Sequence, residues 1–432
     1  MRKPFEIEAR WLPSDADQKL AEHLAELRVF ISDKNVTRTT SSYRVDQDHI
    51  DVPPYYLAEW MTENWWSILW EPRKSDEPGD DPDYVQRHCT IAAQHGFALP
   101  RIQFSAVSDQ EVEVACTSRF VAEADVKFVE SGKVYVPKSE LAGSMRAFVS
   151  AVVDHLTEKG IKDTDLQEAW ELILDTDGDA EEYCILLGAL GLSPYSENTR
   201  IDDVIDRSVE MLGMDLTKEL CFASTEATLK TAFQRAKGAV DSLDLASVVD
   251  LTPLSPIKLV NDSYDVPAWQ RGIKAAKLLR QRLGIREDDA LGSDVVFGRL
   301  NVETTSQRTA AKDETTPILG AVRTEREEAR FGLLQSSAPQ RRFAAARATF
   351  LAWSSIGTKK QHLITQSVTR DQQASRAFAA EIVAPIAHIR RRAERRHLTR
   401  SAIASLSEEF NVTSDVVWKQ AINNGLSISR YS

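Results

Sequence analysis

Apolar side chains recur every three or four residues through the second quarter of the chain, which is the spacing of one face of a helix. Between residues 139 and 159 this stripe consists of Leu141, Met145, Phe148, Val149, Val152, Val153 and Leu156. The same period continues at 165–174, 181–191, 201–213 and 225–239. A proline-containing turn at 252–256 ends it. We therefore predict a helical bundle over residues 138–250.

The first 137 residues mix the helical period with the two-residue alternation of strands. Helices are predicted at 17–27, 55–70 and 84–95. Strands are predicted at 28–32, 43–52, 102–104, 111–117 and 134–136. The acidic stretch 76–83 is rich in turn-forming residues and predicts an exposed loop. Residues 1–137 are thus predicted to form a mixed α/β module.

The last third of the chain, residues 251–432, again favours helices. They are predicted at 267–284, 338–355, 370–383, 386–396 and, as a short pair, within 401–424. Strands are predicted at 295–300 and 318–322. A chain of 432 residues is long for a single core. The fold class predicted for the whole chain is therefore α+β and multi-domain, with the three modules 1–137, 138–250 and 251–432.

Composition narrows the class of protein. The hydrophobic fraction of 42% and the charged fraction of 27% are ordinary for a globular protein. The longest apolar run, at 184–192, is far shorter than the roughly 18 residues of a membrane-spanning helix. The chain begins without the apolar stretch of a signal peptide, and its four cysteines lie far apart. These features predict a cytoplasmic protein with free, buried thiols and no membrane partner.

Charge is distributed unevenly along the chain. Residues 267–432 hold 27 Lys and Arg against 16 Asp and Glu, a net charge of +11. The preceding residues hold 26 against 49, a net charge of −23, which gives −12 for the chain. Such a division indicates separate modules and an acidic partner for the basic one. That partner is either nucleic acid or the acidic part of the protein itself.

An acidic turn at 175–179 has some of the oxygen ligands of a calcium-binding loop. An EF-hand also needs glycine at the sixth position and a bidentate glutamate at the twelfth. Ala180 and Leu186 stand at those positions. We therefore interpret the turn as the acidic start of a helix, where negative charge is favourable, and not as a calcium site.

Two further groups of residues favour a structural role over a chemical one. His88, Cys89 and His95 form the closest His/Cys grouping, but the chain offers no nearby residues to complete the three or four ligands that zinc needs. Four tryptophans within 55–70 fall mostly at helical spacing. That spacing favours packing in a core over a platform for stacking bases.

Four blocks in the last third resemble the ImmA/IrrE family of metallopeptidases. They are 269–285, 341–353, 374–385 and the closing stretch 403–426. The third, Ala374-Ser-Arg-Ala-Phe-Ala-Ala-Glu-Ile-Val-Ala-Pro385, is very similar to the family pattern. The resemblance implies a mostly helical, zincin-like domain over 251–432. Its zinc-binding helix would be at 341–353, and a helix pair would close it.

The residues that a zincin uses to bind zinc are replaced in this chain. A zincin holds Zn²⁺ with both histidines of His-Glu-x-x-His and uses the glutamate as a base. Arg347, Ala348 and Leu351 stand at those three positions, and the family's third ligand falls at Gln372 or Ala374. Arginine stays protonated, and alanine and leucine have no donor atom. We therefore predict no zinc, no other cofactor and no catalytic residue at this site.

Blocks that persist around replaced ligands are typical of a pseudoenzyme. The resemblance therefore implies a non-catalytic regulatory or scaffolding protein that binds a protein partner. The order of elements upstream resembles that of larger bacterial proteins that end in ImmA/IrrE-like domains, which implies a context of stress response or antiviral (phage) defence. No motif supports an unrelated active site within residues 1–250, and the sequence does not rule one out.

An arginine-rich segment near the end of the chain supports a second candidate function. Its members are Arg390, Arg391, Arg392, Arg395, Arg396 and Arg400. The four from 391 to 396 share one face of a helix, which suits a phosphate backbone. The helices predicted after them have helix-turn-helix spacing. The alternative function is therefore a DNA-binding transcriptional regulator. Two observations count against this alternative. The same helix pair forms the end of the domain in the peptidase family, and arginine stripes are commonly solvated or paired with acidic residues.

Overall fold

The computed structural model describes residues 2–13, 23–40, 46–74, 81–118, 126–196, 199–256, 259, 266–304, 316–393 and 397–429. Contacts group the chain into two units, Met1–Thr199 and Arg200–Ser432. Each unit has a hydrophobic core of its own. Helices and small, mostly antiparallel sheets occur in both units, so the predicted α+β, multi-domain class is confirmed.

The first unit contains nine strands and six helices among its described residues. The strands are β1 (Phe5–Trp11), β2 (Ala25–Ile31), β3 (Lys34–Asn35), β4 (Thr39–Thr40), β5 (Ile50–Val52), β6 (Ile102–Ala106), β7 (Glu111–Cys116), β8 (Lys127–Phe128) and β9 (Gly132–Pro137). The helices are α1 (Pro54–Glu63), α2 (Trp65–Trp70), α3 (Pro82–His88), α4 (Lys138–Glu158), α5 (Asp165–Leu174) and α6 (Gly178–Leu190). A 3-10 turn, Thr90–Ala93, follows α3.

Two antiparallel sheets and the helices packed on them form the core of the first unit. One sheet has the order β1-β2-β3 with β5 also on β2, and the other has the order β6-β7-β9. Trp60, Trp65 and Trp66 are buried in this core, as the helical spacing predicted. Helix α6 ends at Gly191, whose φ of 80° is a left-handed conformation that glycine adopts without strain. A Cβ atom there would also collide with the Glu71 carboxylate.

The second unit is built from ten helices and six strands within its described residues. The helices are α7 (Thr199–Leu212), α8 (Met214–Ala223), α9 (Glu226–Leu243), α10 (Ala268–Arg282), α11 (Gly292–Arg299), α12 (Ala338–Ser354), α13 (Arg370–Val383), α14 (Ile386–Arg392), α15 (Arg400–Phe410) and α16 (Ser414–Asn423). The strands are β10 (Val248–Asp250), β11 (Ile318–Glu325), β12 (Glu328–Leu333), β13 (Lys359–Thr365), β14 (His397–Leu398) and β15 (Ser427–Ile428).

An antiparallel sheet with the order β10-β12-β11-β13 supports helix α12, which is buried along most of its length. Helix α13 packs on α12, and α10 packs on α13. The helices predicted as one bundle over 138–250 are divided between the cores, because α4 and α5 pack in the first unit and α9 packs on β11 and β12. The module boundaries at residues 137 and 250 stay sequence predictions.

Several predicted elements differ from the structure. Of the predicted helix 17–27, residues 17–22 lie outside the described residues, and residues 25–27 belong to strand β2, which pairs with β1 in a seven-residue antiparallel register. Most of the predicted strand 295–300 is helix α11, which buries Val296 and Phe297 and is followed by the buried C-cap residue Leu300. Of the predicted loop 76–83 and strand 43–52, residues 76–80 and 43–45 lie outside the described residues.

Several elements were missed, and three of them, α8, β12 and β13, have no clear local signal in the sequence. Helix α8 follows directly on α7 across Gly213. Strand β13 begins with the polar run Lys359-Lys360-Gln361-His362, and β12 is only six residues long. Both strands are defined by their pairing with β11. None of the described helices combines the length and apolar character required to span a bilayer.

Gly272 on α10 provides a test of the α10–α13 contact. A Cβ atom at this position would overlap the backbone carbonyl oxygen of Ala374, so Gly272→Ala should lower the free energy of unfolding by about 1–3 kcal/mol. The control is Gly238→Ala in α9, where a Cβ meets nothing within 4 Å and the gain in helix propensity should raise the free energy of unfolding by roughly 0.5–1 kcal/mol. Urea unfolding of both variants measures the difference, and equal effects would contradict the close packing of the two helices.

Candidate functional site

The candidate site lies where helix α12 meets strand β13 and helix α13. Helix α12 begins at Ser337, whose hydroxyl accepts the backbone N–H of Gln340, and a proline lies in its first turn. From Ala344 to Trp353 every side chain of α12 is buried. The small alanines allow both the sheet and α13 to approach α12 closely. The helix is therefore enclosed in the core, and its side chains face other protein groups.

Arg347 lies at the centre of this contact and is only 1% exposed. Its Nη2 donates hydrogen bonds to the carbonyl oxygen of Thr365 at 2.7 Å and to Oε1 of Gln372 at 2.5 Å. Its Nε donates to Oγ of Ser375 at 3.1 Å. One side chain of α12 thereby connects the end of β13 to the first two turns of α13.

The structure brings together two of the four positions that the sequence analysis singled out. Arg347 and Gln372 are directly hydrogen-bonded to each other, although they lie 25 residues apart in the chain. Ala348 and Leu351 are fully buried in the apolar core and contribute no polar atom. Ala374, the other candidate for the third position, is buried in the same core.

These residues do not fit a zinc ion. Zinc needs three or four N, O or S donors with free lone pairs, and a guanidinium offers only N–H groups. The side chains of Arg347 and Gln372 are already in hydrogen-bonding contact, which leaves no space for an ion between them. Within the described ranges, no group of three or more His, Cys, Asp or Glu side chains has an arrangement that could hold a metal.

The electrostatics of Arg347 are unusual for a buried cation. Burial lowers the pKa of its guanidinium well below the usual range, and the positive charge of Arg376 lowers the pKa further. Among the described carboxylates none forms an ion pair with Arg347, so its charge is stabilised by the neutral oxygens of Thr365, Gln372 and Ser375. Hydrogen bonds from charged donors are stronger than those from neutral donors, so these three oxygens can stabilise a buried guanidinium.

The Glu381 carboxylate, within the third resemblance block, holds the closing helices in place. It is 2% exposed and accepts a hydrogen bond from Nε2 of Gln420 on α16 at 2.9 Å. It also lies 3.5 Å from the backbone nitrogen of Ile386 at the start of α14. Burial raises the pKa of Glu381. The block therefore fixes α14 and α16 to α13, a role that the sequence analysis did not assign.

A second polar network in this unit also escaped the sequence analysis. Nδ1 of His362 on β13 lies 2.7 Å from Oε1 of Glu219 on α8, and Nε2 of His362 lies 3.1 Å from Oγ of Ser355. The other Glu219 oxygen accepts the backbone N–H of Leu363 at 2.6 Å. Glu219 and His362 are separated by 143 residues, so no local pattern could have joined them. The network attaches α8 to strand β13.

In the first unit, one member of the His/Cys group, His88, contacts the buried carboxylate of Glu71. Glu71 is 2% exposed and accepts two hydrogen bonds from Arg87, at 2.7 and 2.8 Å, and lies 2.9 Å from Nε2 of His88. Burial raises the pKa of Glu71, but the bonds from His88 and Arg87 prevail and lower it to about 2. Burial lowers the pKa of His88. His88 is thus a structural side chain in the described part of the chain, and Cys89 is buried and forms no disulfide bond among the described residues.

A polar cavity of about 450 Å³ lies beside this network, between α1 and the segment that follows α3. Glu59 and Glu63 line one wall, and His95, whose ring stacks on Tyr56 with centroids 4.3 Å apart, lines another. Burial is the largest cause of a raised pKa at Glu63, and the charges of Glu59 and Asp165 add to it. The sequence predicted the tryptophan-rich helix on one side of this cavity, but it did not predict the cavity or its acidic lining.

The arginine-rich segment is only partly described. Arg391 forms an ion pair with Asp288, and Arg392 pairs with Glu409 at 3.2 Å. Arg390 and Arg400 are exposed. Arg395 and Arg396 lie outside the described residues. Two members of the proposed phosphate-binding stripe therefore have acidic partners within the same unit, and the DNA-binding hypothesis stays a prediction.

The Glu219–His362 contact predicts a pH dependence of stability. Burial lowers the pKa of His362, but the charge and hydrogen bond of Glu219 prevail and raise it above 6.5. A histidine with a raised folded-state pKa stabilises the fold fully below its unfolded pKa of about 6.5, and this contribution is lost as pH rises through the folded pKa. Thermal melts of wild type and His362→Gln should therefore differ most at mildly acidic pH and converge at alkaline pH. The exposed His397→Gln is the control, and a constant difference across pH would contradict the prediction.

Compared with known proteins, the chain matches no family model, no curated protein and no solved structure. The resemblance of residues 269–426 to the ImmA/IrrE family therefore stays a prediction that rests on the four sequence blocks.

Proposed function

We propose that this protein is a non-catalytic regulatory or scaffolding protein whose zinc-less, ImmA/IrrE-like second unit binds a protein partner. It would act in the cytoplasm of a bacterium, in stress response or antiviral defence. The observation that carries the proposal is the direct hydrogen bond between Arg347 and Gln372. Two positions that would bind one metal ion in an active member of the family instead bind each other.

Further support comes from what the second unit retains. The close approach of α10 and α13 at Gly272 and the Glu381 bridge to α14 and α16 both depend on the resemblance blocks. The chain therefore keeps the residues that build the core while it replaces those that would perform the reaction. Such a division is expected when the shape of a domain is used for recognition and its chemistry is not.

A metal analysis tests the non-catalytic part of the proposal. Purified protein should contain far less than one zinc ion per chain by inductively coupled plasma mass spectrometry, because no described residue set offers three donors. It should also leave a denatured protein substrate uncleaved when zinc is added. One tightly held zinc ion per chain, or zinc-dependent cleavage, would contradict the proposal.

Cross-linking in the native host tests the partner. The tagged full-length chain should yield cross-links between residues of the second unit and one recurring protein, identified by mass spectrometry. A matched chain with Gly272→Ala, which disturbs the α10–α13 packing, should lose those cross-links in proportion to its loss of folding. Cross-links confined to residues 2–196 would contradict a partner site in the second unit.

The DNA-binding alternative has a separate test. It expects salt-dependent binding to duplex DNA that weakens when Arg391, Arg392, Arg395 and Arg396 are changed to Ala, since each lost phosphate contact reduces the salt slope by about one. Because Arg391 and Arg392 already pair with Asp288 and Glu409, our proposal predicts the same weak affinity for wild type and variant in an electrophoretic mobility assay. A large loss of affinity in the variant would favour the alternative.

A further inference from the structure

We infer that the guanidinium group of Arg347 replaces a bound metal ion as the cross-link that holds α12, β13 and α13 together. In a zincin the metal joins a helix to a third ligand supplied from elsewhere in the chain. Here one cation, covalently attached to α12, contacts the carbonyl oxygen of Thr365 on β13 and the side chains of Gln372 and Ser375 on α13. This inference concerns the folding of the unit and holds whether or not the unit binds a protein partner.

Thr365, Gln372 and Ser375, which surround the guanidinium, also form hydrogen bonds with other groups. Oε1 of Gln372 also accepts the backbone N–H of Thr365 at 3.1 Å, and its Nε2 donates to the carbonyl oxygen of Leu363 at 2.7 Å. Oγ of Ser375 donates to the carbonyl oxygen of Gln372 at 2.9 Å. The three residues that supply the acceptors are therefore also held by hydrogen bonds that do not involve Arg347. Removal of the Arg347 side chain would leave these oxygens unpaired in a buried site. A free cation with the shape of the guanidinium group could then bind there.

Two other buried arginines of the unit show that this arrangement is particular to Arg347. Arg342 forms an ion pair with Asp294 at 2.6 Å. Arg280 donates to three backbone carbonyl oxygens and lies in the field of Glu381. Arg347 differs from both. Within the described residues, its acceptors are a backbone oxygen of β13 and two side-chain oxygens of α13, and no acidic group contributes. Its position also matches a histidine of the zinc-binding motif, so the cation lies where the family would bind its metal.

Chemical rescue of Arg347→Ala tests the inference. We expect this change to lower the melting temperature of the full-length protein by roughly 10 °C, because it removes a buried charged group and leaves several acceptors unpaired. Low-millimolar guanidinium chloride should restore part of that loss relative to sodium chloride at equal ionic strength, since the free ion has the shape of the missing group. Zinc chloride should restore nothing, and a chelator should leave wild type unchanged.

The controls are wild type and Arg299→Ala, an exposed arginine of α11, neither of which should gain stability from guanidinium. Arg347→Met keeps much of the volume without the donors and should be as unstable as Arg347→Ala. Arg347→Lys covers the case in which both variants fail to fold. It retains the charge but not the planar fork, so its melting temperature should fall below that of wild type. Any of three results would overturn the inference. Arg347→Met or Arg347→Lys could melt at the wild-type temperature, zinc could raise the melting temperature of Arg347→Ala, or a chelator could lower the melting temperature of wild type.

Discussion

Burial of the Arg347 guanidinium constrains the second unit where helix α12 meets β13 and α13. Transfer of an ion out of water costs several kcal/mol even after the protein relaxes. Hydrogen bonds from a charged donor contribute about 1.5–3 kcal/mol each, and Arg347 makes three of them to oxygens on β13 and α13. These three hydrogen bonds offset the cost of burying the charge. A single side chain thereby couples the position of a strand end to that of a helix.

The two units balance buried charge in different ways. In the first, the Glu71 carboxylate is matched by a guanidinium and an imidazole, and its pKa falls to about 2 as a result. In the second, Arg347 is surrounded by neutral oxygens and its pKa falls because of burial. The first arrangement is an ion pair with strong mutual attraction. The second resembles the coordination of a cation by neutral ligands.

Local patterns predicted much of the fold where an element is amphipathic along its own length. Helices α5 and α13 begin and end at the predicted residues, because their buried faces recur at helical spacing. Strand β13 failed this test, since its first half is polar and only its pairing with β11 defines it. Helix α11 was mistaken for a strand because a short apolar run is compatible with either period.

The proximity of Arg347 and Gln372 was anticipated for a different reason. The sequence analysis assigned Arg347 to one ligand position of a zincin and Gln372 or Ala374 to the third, and the structure joins Arg347 to Gln372 with a hydrogen bond. Nothing comparable linked Glu219 to His362 or Glu381 to Gln420, because these pairs are formed by the tertiary fold across 143 and 39 residues of chain. The acceptors around Arg347 were also hidden, since Thr365 contributes a backbone carbonyl oxygen and not a side chain.

Hydrogen exchange at arginine Nε tests most directly whether the Arg347 guanidinium is held in the core in place of a metal. In ¹H–¹⁵N correlation spectra of the full-length protein, the Nε–H of Arg347 should be strongly protected from exchange, because it donates to buried Ser375. The same signal should be absent in Arg347→Lys and unchanged by a chelator. Exchange at Arg347 as fast as that of the exposed Arg299 would contradict the account.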